Sequence, residues 1–153
     1  MKSYFLRAWL ICGTLDIGWA AVNTAIGGGS VAGMLRFVAA GPFGDGASDW
    51  SMAGAALGLA VHFALMAVMV AVYGFLAARG ITGKPGPWWL TGALYGLALY
   101  LVMYWLVMPL RWPSIHPGAN PVSMAKAIFA HVALVGLPMA WIASRYLGKA
   151  AVR

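Results

Sequence analysis

Charged residues are scarce in this sequence. The chain of 153 residues contains three acidic residues, and charged residues make up 8% of the whole, against roughly 25% in ordinary soluble domains. So few charges cannot cover the surface of a water-soluble domain of this length. The composition therefore excludes a chain whose main solvent is water.

Cysteine is almost absent as well. Cys12 is the single cysteine, which excludes an internal disulfide and a paired-cysteine metal site. The sequence also lacks a nucleotide-binding loop, a zinc motif and a nucleophile elbow. We therefore expect no catalytic activity, no resident metal and no cofactor. The formal charge of +7 comes from basic residues scattered at segment ends, which argues against a nucleic-acid partner.

Long apolar runs take the place of charge. Hydrophobic residues make up 63% of the chain, with a mean hydropathy of +0.83. Four runs reach the length of about 20 residues that crosses a hydrocarbon core of about 30 Å. We predict an all-α polytopic membrane protein, a four-helix bundle forming one transmembrane domain over 1–153, with spans at about 4–26, 52–78, 88–110 and 121–147.

Glycine and proline mark the span ends. Gly27 begins a glycine triplet after the first span, and Gly80 follows a basic last turn in the second. Pro109 and Pro113 are expected to stop the third span. Pro138 predicts a kink near Leu134 in the fourth, tolerated because neighbouring groups satisfy the freed carbonyl.

Basic residues near the span ends predict the orientation. Seven lie on one side: Lys2, Arg7, Arg79, Lys84, Arg145, Lys149 and Arg153. The other side has three, Arg36, Arg111 and Lys126. The positive-inside rule then places both termini in the cytoplasm. Five tryptophans near predicted span ends are expected to anchor in the headgroup region: Trp9, Trp50, Trp88, Trp89 and Trp112.

The first outer loop carries a pattern of its own. Apolar residues recur at helical spacing over 31–38 and predict a short interfacial helix ending at Gly41-Pro42, followed by a turn at 43–46. This helix either lies flat on the membrane or acts as a lid. The polar loop side chains are candidates for binding a small ligand, with plain solvated charge as the alternative: Arg36, Asp45, Asp49, Arg111 and His116.

The second and third spans share a GxxxG pattern. Gly54 and Gly58 in one span correspond to Gly92 and Gly96 in the other. Two glycines on one helix face let another backbone approach closely, so both helices are expected to pack tightly on a neighbour. If the similarity reflects an inverted repeat, His62 corresponds to Tyr100.

Polar side chains inside the spans are the candidates for chemistry. Asp16 falls near mid-bilayer, where an ionised carboxylate costs at least a few kcal/mol. Several other candidates come to a similar depth or share its helix face: Asn23, His62, Tyr100, Tyr104 and His131. Together they predict a proton or cation site, or else hydrogen bonds that only fix the helix register.

Two histidines on neighbouring spans suggest a further alternative. His62 and His131 each lie about ten residues from the start of a span running in the same direction. Facing imidazoles of this kind ligate the iron of a b-type haem. A haem- or quinone-binding redox protein is therefore kept as an alternative, against the commoner buried histidine that bonds to a carboxylate, tyrosine or carbonyl.

Four short motifs carry a resemblance. They are Gly13-Thr14-Leu15-Asp16-Ile17, Met34-Leu35-Arg36-Phe37-Val38-Ala39-x-Gly41, Gly58-Leu59-x-x-His62-Phe63 and Tyr104-x-x-Val107-x-Pro109-Leu110. In these the sequence resembles small proteobacterial four-helix inner-membrane proteins that are loosely YagU-like. The resemblance covers about the whole chain. It implies a bacterial inner (cytoplasmic) membrane and four spans, and it carries over no catalytic residue.

These observations favour a small inner-membrane protein without catalytic activity, with a proton-responsive or small-ligand polar site within the membrane. Its partner is the lipid bilayer. The alternative function is an accessory subunit packed into a larger respiratory, photosynthetic or transport complex, and a homo-oligomer is a further arrangement. Native electrophoresis in detergent separates these assemblies.

Overall fold

The structure, a computed structural model, describes residues 2–82, 87–116, 118 and 120–147. Its described residues form four long helices and one shorter helix: α1 (Lys2–Ile26), α2 (Val31–Phe43), α3 (Met52–Ala78), α4 (Trp88–Arg111) and α5 (Pro121–Tyr146). The four long helices are each long and apolar enough to cross a membrane. The predicted all-α bundle of four spans is therefore confirmed, with span ends within two residues of the prediction.

Successive spans run in opposite directions, which gives the bundle two distinct ends. We call the end with Lys2 and Tyr146 the terminal side, and the end that carries α2 the α2 side. Arg7 and Arg145 lie at the terminal side, where their guanidinium groups stack over the rings of Tyr146 and Trp141. Three of the basic residues used to predict orientation, Lys84, Lys149 and Arg153, lie outside the described residues.

The helices pack in a definite order. α1 lies between α3 and α5, and α5 lies between α1 and α4. α3 and α4 meet at the terminal side, where the Tyr95 hydroxyl donates to the Met69 carbonyl at 2.6 Å and the hydroxyls of Tyr73 and Thr91 lie 3.1 Å apart. Nearer the α2 side, α2 packs along α3 and contacts the end of α4.

The dense core fills only the terminal half of the bundle. Its members are side chains of α1, α3 and α5: Tyr4, Ala8, Cys12, Met66, Val70, Tyr73, Val135, Met139, Ala140, Ile142 and Ala143. The Tyr4 hydroxyl, 2% exposed, donates to the Val70 carbonyl at 3.1 Å and ties α1 to α3. The α2 half of α1 has no fully buried residue beyond Gly13. Around α1, packing therefore loosens towards the α2 side, where a separate buried cluster of Ala39, Ala40 and Ala47 holds α2 against α3.

Both GxxxG patterns receive a neighbouring backbone, as predicted. A methyl group at Gly58 would overlap the carbonyl oxygen of Leu35 in α2. A methyl group at Gly96 would lie 2.7 Å from the Val132 Cα atom in α5. Only hydrogen side chains permit this approach. The glycines thus fix α2 on α3 and α4 on α5, whereas the proposed inverted repeat stays a prediction.

The helix predicted in the first loop is confirmed, and it ends one residue beyond the predicted end at Gly41-Pro42. α2 continues through Gly41-Pro42 to Phe43, because the N–H of Gly44 still bonds to the Ala40 carbonyl at 3.0 Å. Ser30 caps its start by accepting the N–H of Gly33 at 3.1 Å. The predicted turn at 43–46 is replaced by a short 3₁₀ helix over Asp45–Asp49.

Two prolines lie just beyond π-helical segments. The chain widens at Leu101–Val107 before Pro109 and at Ala130–Gly136 before Pro138. A π turn is a local widening of the helix that is frequent at functional sites, and here it precedes a residue that cannot donate a backbone hydrogen bond. The irregularity predicted near Leu134 is therefore a π segment. α4, predicted to end at Leu110, ends at Arg111, so Pro109 lies within its last turn.

Two of the tryptophans expected to anchor in the headgroup region contact neighbouring helices. Trp9 is part-buried, and its indole N–H donates to the Phe63 carbonyl at 2.7 Å. Trp112 stacks on Phe37 with ring centres 4.5 Å apart. Both side chains therefore contribute to packing within the bundle, and their anchoring stays a prediction. The other three are 41–54% exposed near helix ends, as anchors would be: Trp50, Trp88 and Trp89.

Candidate intramembrane proton site

Asp16 points into the bundle. It lies about 21 Å along α1 from the start of the helix, slightly beyond the middle of a 25-residue helix. The lipid-facing residues of α1 lie on the opposite face: Leu6, Leu10, Ile11, Leu15 and Val22. Cys12 and Gly13, which bracket Asp16 on its own face, contact α5 and α3 respectively. The carboxylate is therefore directed towards the groove between these two helices, where its side chain is 22% exposed.

His62 of α3 stands beside this carboxylate. Its Nδ1 atom lies 3.9 Å from Asp16 Oδ2, and its Nε2 atom lies 3.0 Å from the Gly13 carbonyl oxygen. A carbonyl oxygen only accepts, so the hydrogen-bond network assigns a proton to Nε2. The second ring nitrogen, Nδ1, is left to face the carboxylate. Neither carboxylate oxygen of Asp16 has a hydrogen bond among the described residues.

This geometry offers the pair two positions for one proton. With Nε2 protonated, a neutral His62 turns the lone pair of Nδ1 towards Asp16, and an ionised carboxylate there would be repelled. One further proton removes the conflict, either on the carboxyl group or on Nδ1 as an imidazolium. In both forms the pair is neutral overall, which suits a position inside an apolar bundle. Asp16 and His62 are thus placed so that one proton could lie on either of them.

A second cluster lies where the two π segments meet. The rings of Tyr100 and Tyr104 in α4 stack with centres 5.2 Å apart, and the ring of His131 in α5 stands edge-on at 5.7 Å from Tyr104. His131 Nδ1 lies 3.0 Å from the Ala127 carbonyl of its own helix, so it donates and leaves Nε2 free to accept. Tyr100 is 3% exposed and its hydroxyl accepts the indole N–H of Trp105.

The two clusters are not joined by a hydrogen bond among the described residues. Tyr104 lies within electrostatic range of Asp16, although α4 and α1 are separated in the packing order by α5. The structure therefore brings Asp16 beside His62, whereas a single cluster that includes the tyrosine pair stays a prediction. Asn23 does not join them, because its amide donates to the Trp19 carbonyl of its own helix at 2.9 Å, two turns beyond Asp16.

The polar residues of the α2 side form a structural tie. The Arg111 guanidinium donates to Asp45 at 2.6 Å and to the Ala40 carbonyl at 2.9 Å, and so fastens α4 to the end of α2. The Trp112 indole N–H also donates to Asp45, at 3.1 Å. Hydrogen bonds from Trp112 and Arg111 lower the pKa of the Asp45 carboxyl group. These bonds give the three side chains a structural role, and the ligand site expected in the loops stays a prediction.

The remaining loop candidates are also dispersed. Arg36 donates to the Ser48 carbonyl at 3.0 Å and fixes the 3₁₀ helix against α2. Asp49 and His116 are exposed, and no ion pair to either occurs among the described residues. Their exposure fits both solvated charge and ligand binding, so both interpretations stay open for these two side chains.

One member of the site is a backbone atom that the sequence did not indicate. The carbonyl of Gly13 holds His62 and thereby determines which ring nitrogen faces Asp16. Gly13 also receives the ring of Phe63, whose Cε1 atom would lie 2.5 Å from an added methyl group. The sequence did contain one sign of this contact, since a glycine in the middle of a span often marks the close approach of a neighbouring helix.

The side chains that could ligate a metal or a haem iron do not form a recognisable site among the described residues. Over residues 2–82, 87–116, 118 and 120–147 no three His, Cys, Asp or Glu side chains converge as metal ligands would. His62 has one nitrogen on a carbonyl and the other beside a carboxylate. The haem and quinone alternatives stay predictions, to be checked by the absorbance of purified protein near the Soret region.

Comparison with known proteins gives no assignment. No protein-family model, no curated protein and no solved structure matches this chain. The resemblance to YagU-like inner-membrane proteins therefore stays a prediction, and function has to be argued from the site itself.

Proposed function

We propose that this protein is a proton-responsive membrane protein whose sensing group is the Asp16–His62 pair. The observation that carries the proposal is the 3.9 Å approach of Asp16 Oδ2 to His62 Nδ1, with Nε2 already bound to the Gly13 carbonyl. The arrangement requires one proton that either residue can hold. Histidine is the side chain whose charge changes most readily near physiological pH.

The surroundings of the Asp16–His62 pair favour a role in responding to pH over a purely structural role. A register-fixing carboxylate would be expected to accept hydrogen bonds, because buried polar groups are usually satisfied. Asp16 instead has none among the described residues, and 22% of its side chain is exposed. Loss of the shared proton would leave a net negative charge between α1 and α3. That charge would favour uptake of a cation or a shift of the two helices.

The test is infrared difference spectroscopy of purified protein in lipid nanodiscs, between about pH 4 and about pH 9. We expect a carboxylic-acid band that disappears as the pH rises and is absent in Asp16→Asn. Asp49→Asn is the matched control, since it removes an exposed loop carboxylate on the same side of the bundle. In His62→Phe the band should persist to higher pH, because the imidazole can no longer take the proton from the carboxyl group.

Two results would refute the proposal. One is a carboxylic-acid band that keeps the same intensity over the whole pH range, which would mean a permanently protonated structural residue. The other is an identical set of bands in the wild type and in Asp16→Asn. Far-ultraviolet circular dichroism of each variant checks that its helices remain folded.

We further propose that the protein resides in a bacterial inner membrane with both termini in the cytoplasm. Among the described residues, basic side chains at the terminal side include Lys2, Arg7, Arg79 and Arg145. Those at the α2 side are Arg36, Arg111 and Lys126, and Arg36 and Arg111 are engaged in hydrogen bonds there. This bias supports the assignment. A C-terminal reporter that is active only in the periplasm should stay silent, and activity would reverse the topology.

A further inference from the structure

A groove opens between α1 and α3 at the terminal side of the bundle. It has a volume of about 400 Å³ and is lined along α3 by residues from Val70 to Ala78, a length of about 12 Å. Tyr4 and Phe5 of α1 line its other side. Phe75, which also lines the groove, is 52% exposed. The groove therefore opens towards the hydrocarbon that surrounds the spans, and its occupant has to be largely apolar.

The floor of the groove is held in place by contacts between the two helices. The Tyr4 hydroxyl donates to the Val70 carbonyl at 3.1 Å and joins α1 to α3 beneath the groove. Gly74 lets the Tyr4 ring approach so closely that an added methyl group would lie 2.8 Å from Tyr4 Cε1. Above this floor Ala71 is exposed and carries only a methyl group. The groove is therefore built into the contact between α1 and α3.

Two basic side chains stand at the terminal end of the groove. Lys2 lines it, and the guanidinium carbon of Arg79 lies 4.6 Å from the ring centre of Phe75. Both basic side chains are exposed, and neither forms an ion pair among the described residues. An aromatic ring takes none of the N–H donors of a guanidinium that lies over it. Arg79 therefore keeps these donors for an anion.

No acidic side chain competes for these two cations. The three acidic residues of the chain are Asp16, Asp45 and Asp49. Asp16 lies near the middle of α1, and the other two belong to the 3₁₀ helix at the α2 side. The positive field of the terminal side is therefore not balanced by any acidic side chain of the protein, and it attracts anions from the surroundings.

A second copy of the chain matches this groove poorly. A two-fold dimer packed through it would bring Lys2 and Arg79 of each copy towards the same two cations of the other, and like charges repel. An apolar helix would fill the groove but would leave both cations without an acceptor. An acyl chain joined to a phosphate satisfies the groove and the cations together. Anionic phospholipids of the bilayer have this chemistry, and basic pockets between transmembrane helices bind their headgroups.

From these observations we propose that the groove between α1 and α3 binds one anionic phospholipid. Its phosphate lies between Lys2 and Arg79, where the guanidinium donates two parallel hydrogen bonds and the ammonium adds a point charge. One acyl chain lies along Phe5 and Ala71, and the lipid links the first turn of α1 to the last turn of α3. The inference is independent of the proton site, which lies deeper in the bundle.

The experiment is native mass spectrometry of the full chain in detergent micelles, titrated with phosphatidylglycerol or with phosphatidylcholine of the same acyl chains. We expect one phosphatidylglycerol to bind, and the zwitterionic phosphatidylcholine to bind more weakly. Each basic residue near the membrane surface strengthens the attraction of an anionic lipid about fivefold. The double variant Lys2→Gln/Arg79→Gln should therefore bind phosphatidylglycerol about 30-fold more weakly than the wild type.

The matched control removes the same charge elsewhere on the terminal side. Arg7→Gln/Arg145→Gln also deletes two cations, but these arginines stack over Tyr146 and Trp141 and do not line the groove. This double variant should bind phosphatidylglycerol nearly as the wild type does. It separates binding in the groove from a general attraction to the positive end of the bundle.

A second pair of variants tests the apolar part of the groove. Ala71→Trp places an indole ring in the groove without a change in charge, and it should weaken the binding of both lipids. Val68→Trp puts the same ring on a residue of α3 that is 61% exposed and lies outside the groove, so it should bind lipid as the wild type does. Both positions are exposed, so the added rings meet no core residue, and far-ultraviolet circular dichroism checks the helices of each variant.

Four results would overturn the inference. Equal affinity of the wild type for the two lipids would mean that the cations do not select an anion. Equal losses in the two double variants would assign the effect to the overall charge of the terminal side. Unchanged binding by Ala71→Trp would place the lipid outside the groove. A dimer that Ala71→Trp dissociates would assign the groove to a second copy of the chain.

Discussion

Gly58→Ala tests the contact that seats α2 against the bundle. The added methyl group would overlap the Leu35 carbonyl oxygen and would lie 2.6 Å from its carbonyl carbon. Ordinary contact begins at 3.4 Å, so the carbon alone requires a movement of about 0.8 Å, and the nearer oxygen requires α2 to move further than that. Both atoms belong to the backbone, and no side-chain rotation can relieve the clash.

Overpacking of this kind typically costs about 1 to 3 kcal/mol. An Ala also stabilises a helix by about 1 kcal/mol relative to Gly, so the free energy of unfolding should decrease by about 0 to 2 kcal/mol. The decrease should lie near the upper value if α2 cannot slide. The matched control is Gly18→Ala, where nothing lies within 4 Å of the new methyl group. That variant should gain stability from helix propensity alone.

The assay is reversible denaturation in mixed micelles, followed by far-ultraviolet circular dichroism. The informative quantity is the difference between the two alanine variants, which removes the helix-propensity term and should be about 1 to 3 kcal/mol. If Gly58→Ala were as stable as Gly18→Ala, the close approach of α2 to α3 would be refuted. Displacement of α2 should also expose the region around His62, one turn away, to solvent hydrogen exchange.

Three further predictions concern other contacts. Asp45 has a lowered pKa, so its stabilising bonds are present above the ordinary value of about 3.9 and are lost as the pH falls through the lowered value. A melting-temperature profile of the wild type should therefore fall in acid, and Asp45→Asn should flatten that fall, whereas parallel profiles would refute the tie to Arg111. Tyr4→Phe removes a buried hydrogen bond to Val70 and should destabilise by about 1 kcal/mol, with Tyr146→Phe, which is 38% exposed, as the neutral control in the same denaturation assay. The Cys12 thiol is 0% exposed and should resist a maleimide reagent until denaturant opens the terminal half; fast labelling of folded protein would contradict the dense core.

Hydropathy predicted the spans well because the solvent imposes their length. A run of apolar residues ends where the chain meets water, so the boundaries at Ile26 and Ala78 needed no knowledge of packing. The end of α2 was predicted less well. Pro42 cannot donate a hydrogen bond, but it occupies a last turn whose carbonyls are satisfied by Gly44 and Arg111. Such compensation comes from a distant part of the chain and leaves no local signal.

The site was predictable in part for a similar reason. Depth in the bilayer can be counted along a helix, and this count correctly brought Asp16 and His62 together. The count does not say which backbone atom will meet a ring nitrogen, so the role of the Gly13 carbonyl was missed. The same counting assigned Trp9 to the membrane surface because this residue lies near a helix end. Its contact with Phe63 depends instead on the face of α1 that carries it.

The two π segments determine where α4 and α5 can lose a residue without a change in helix rotation. A π turn contains roughly one residue more than the α turn it replaces. Deleting one residue within Leu101–Val107 would therefore let α4 return to regular α geometry, while the parts of the helix on either side keep nearly the same rotation relative to one another. A deletion in the regular part of α4 has no extra residue to remove, and it rotates one side of the helix by about 100° relative to the other. The Gly92–Gly96 face and Arg111 could then no longer both keep their partners in α5 and α2. A single-residue deletion should consequently be tolerated inside the π segment and be destabilising outside it.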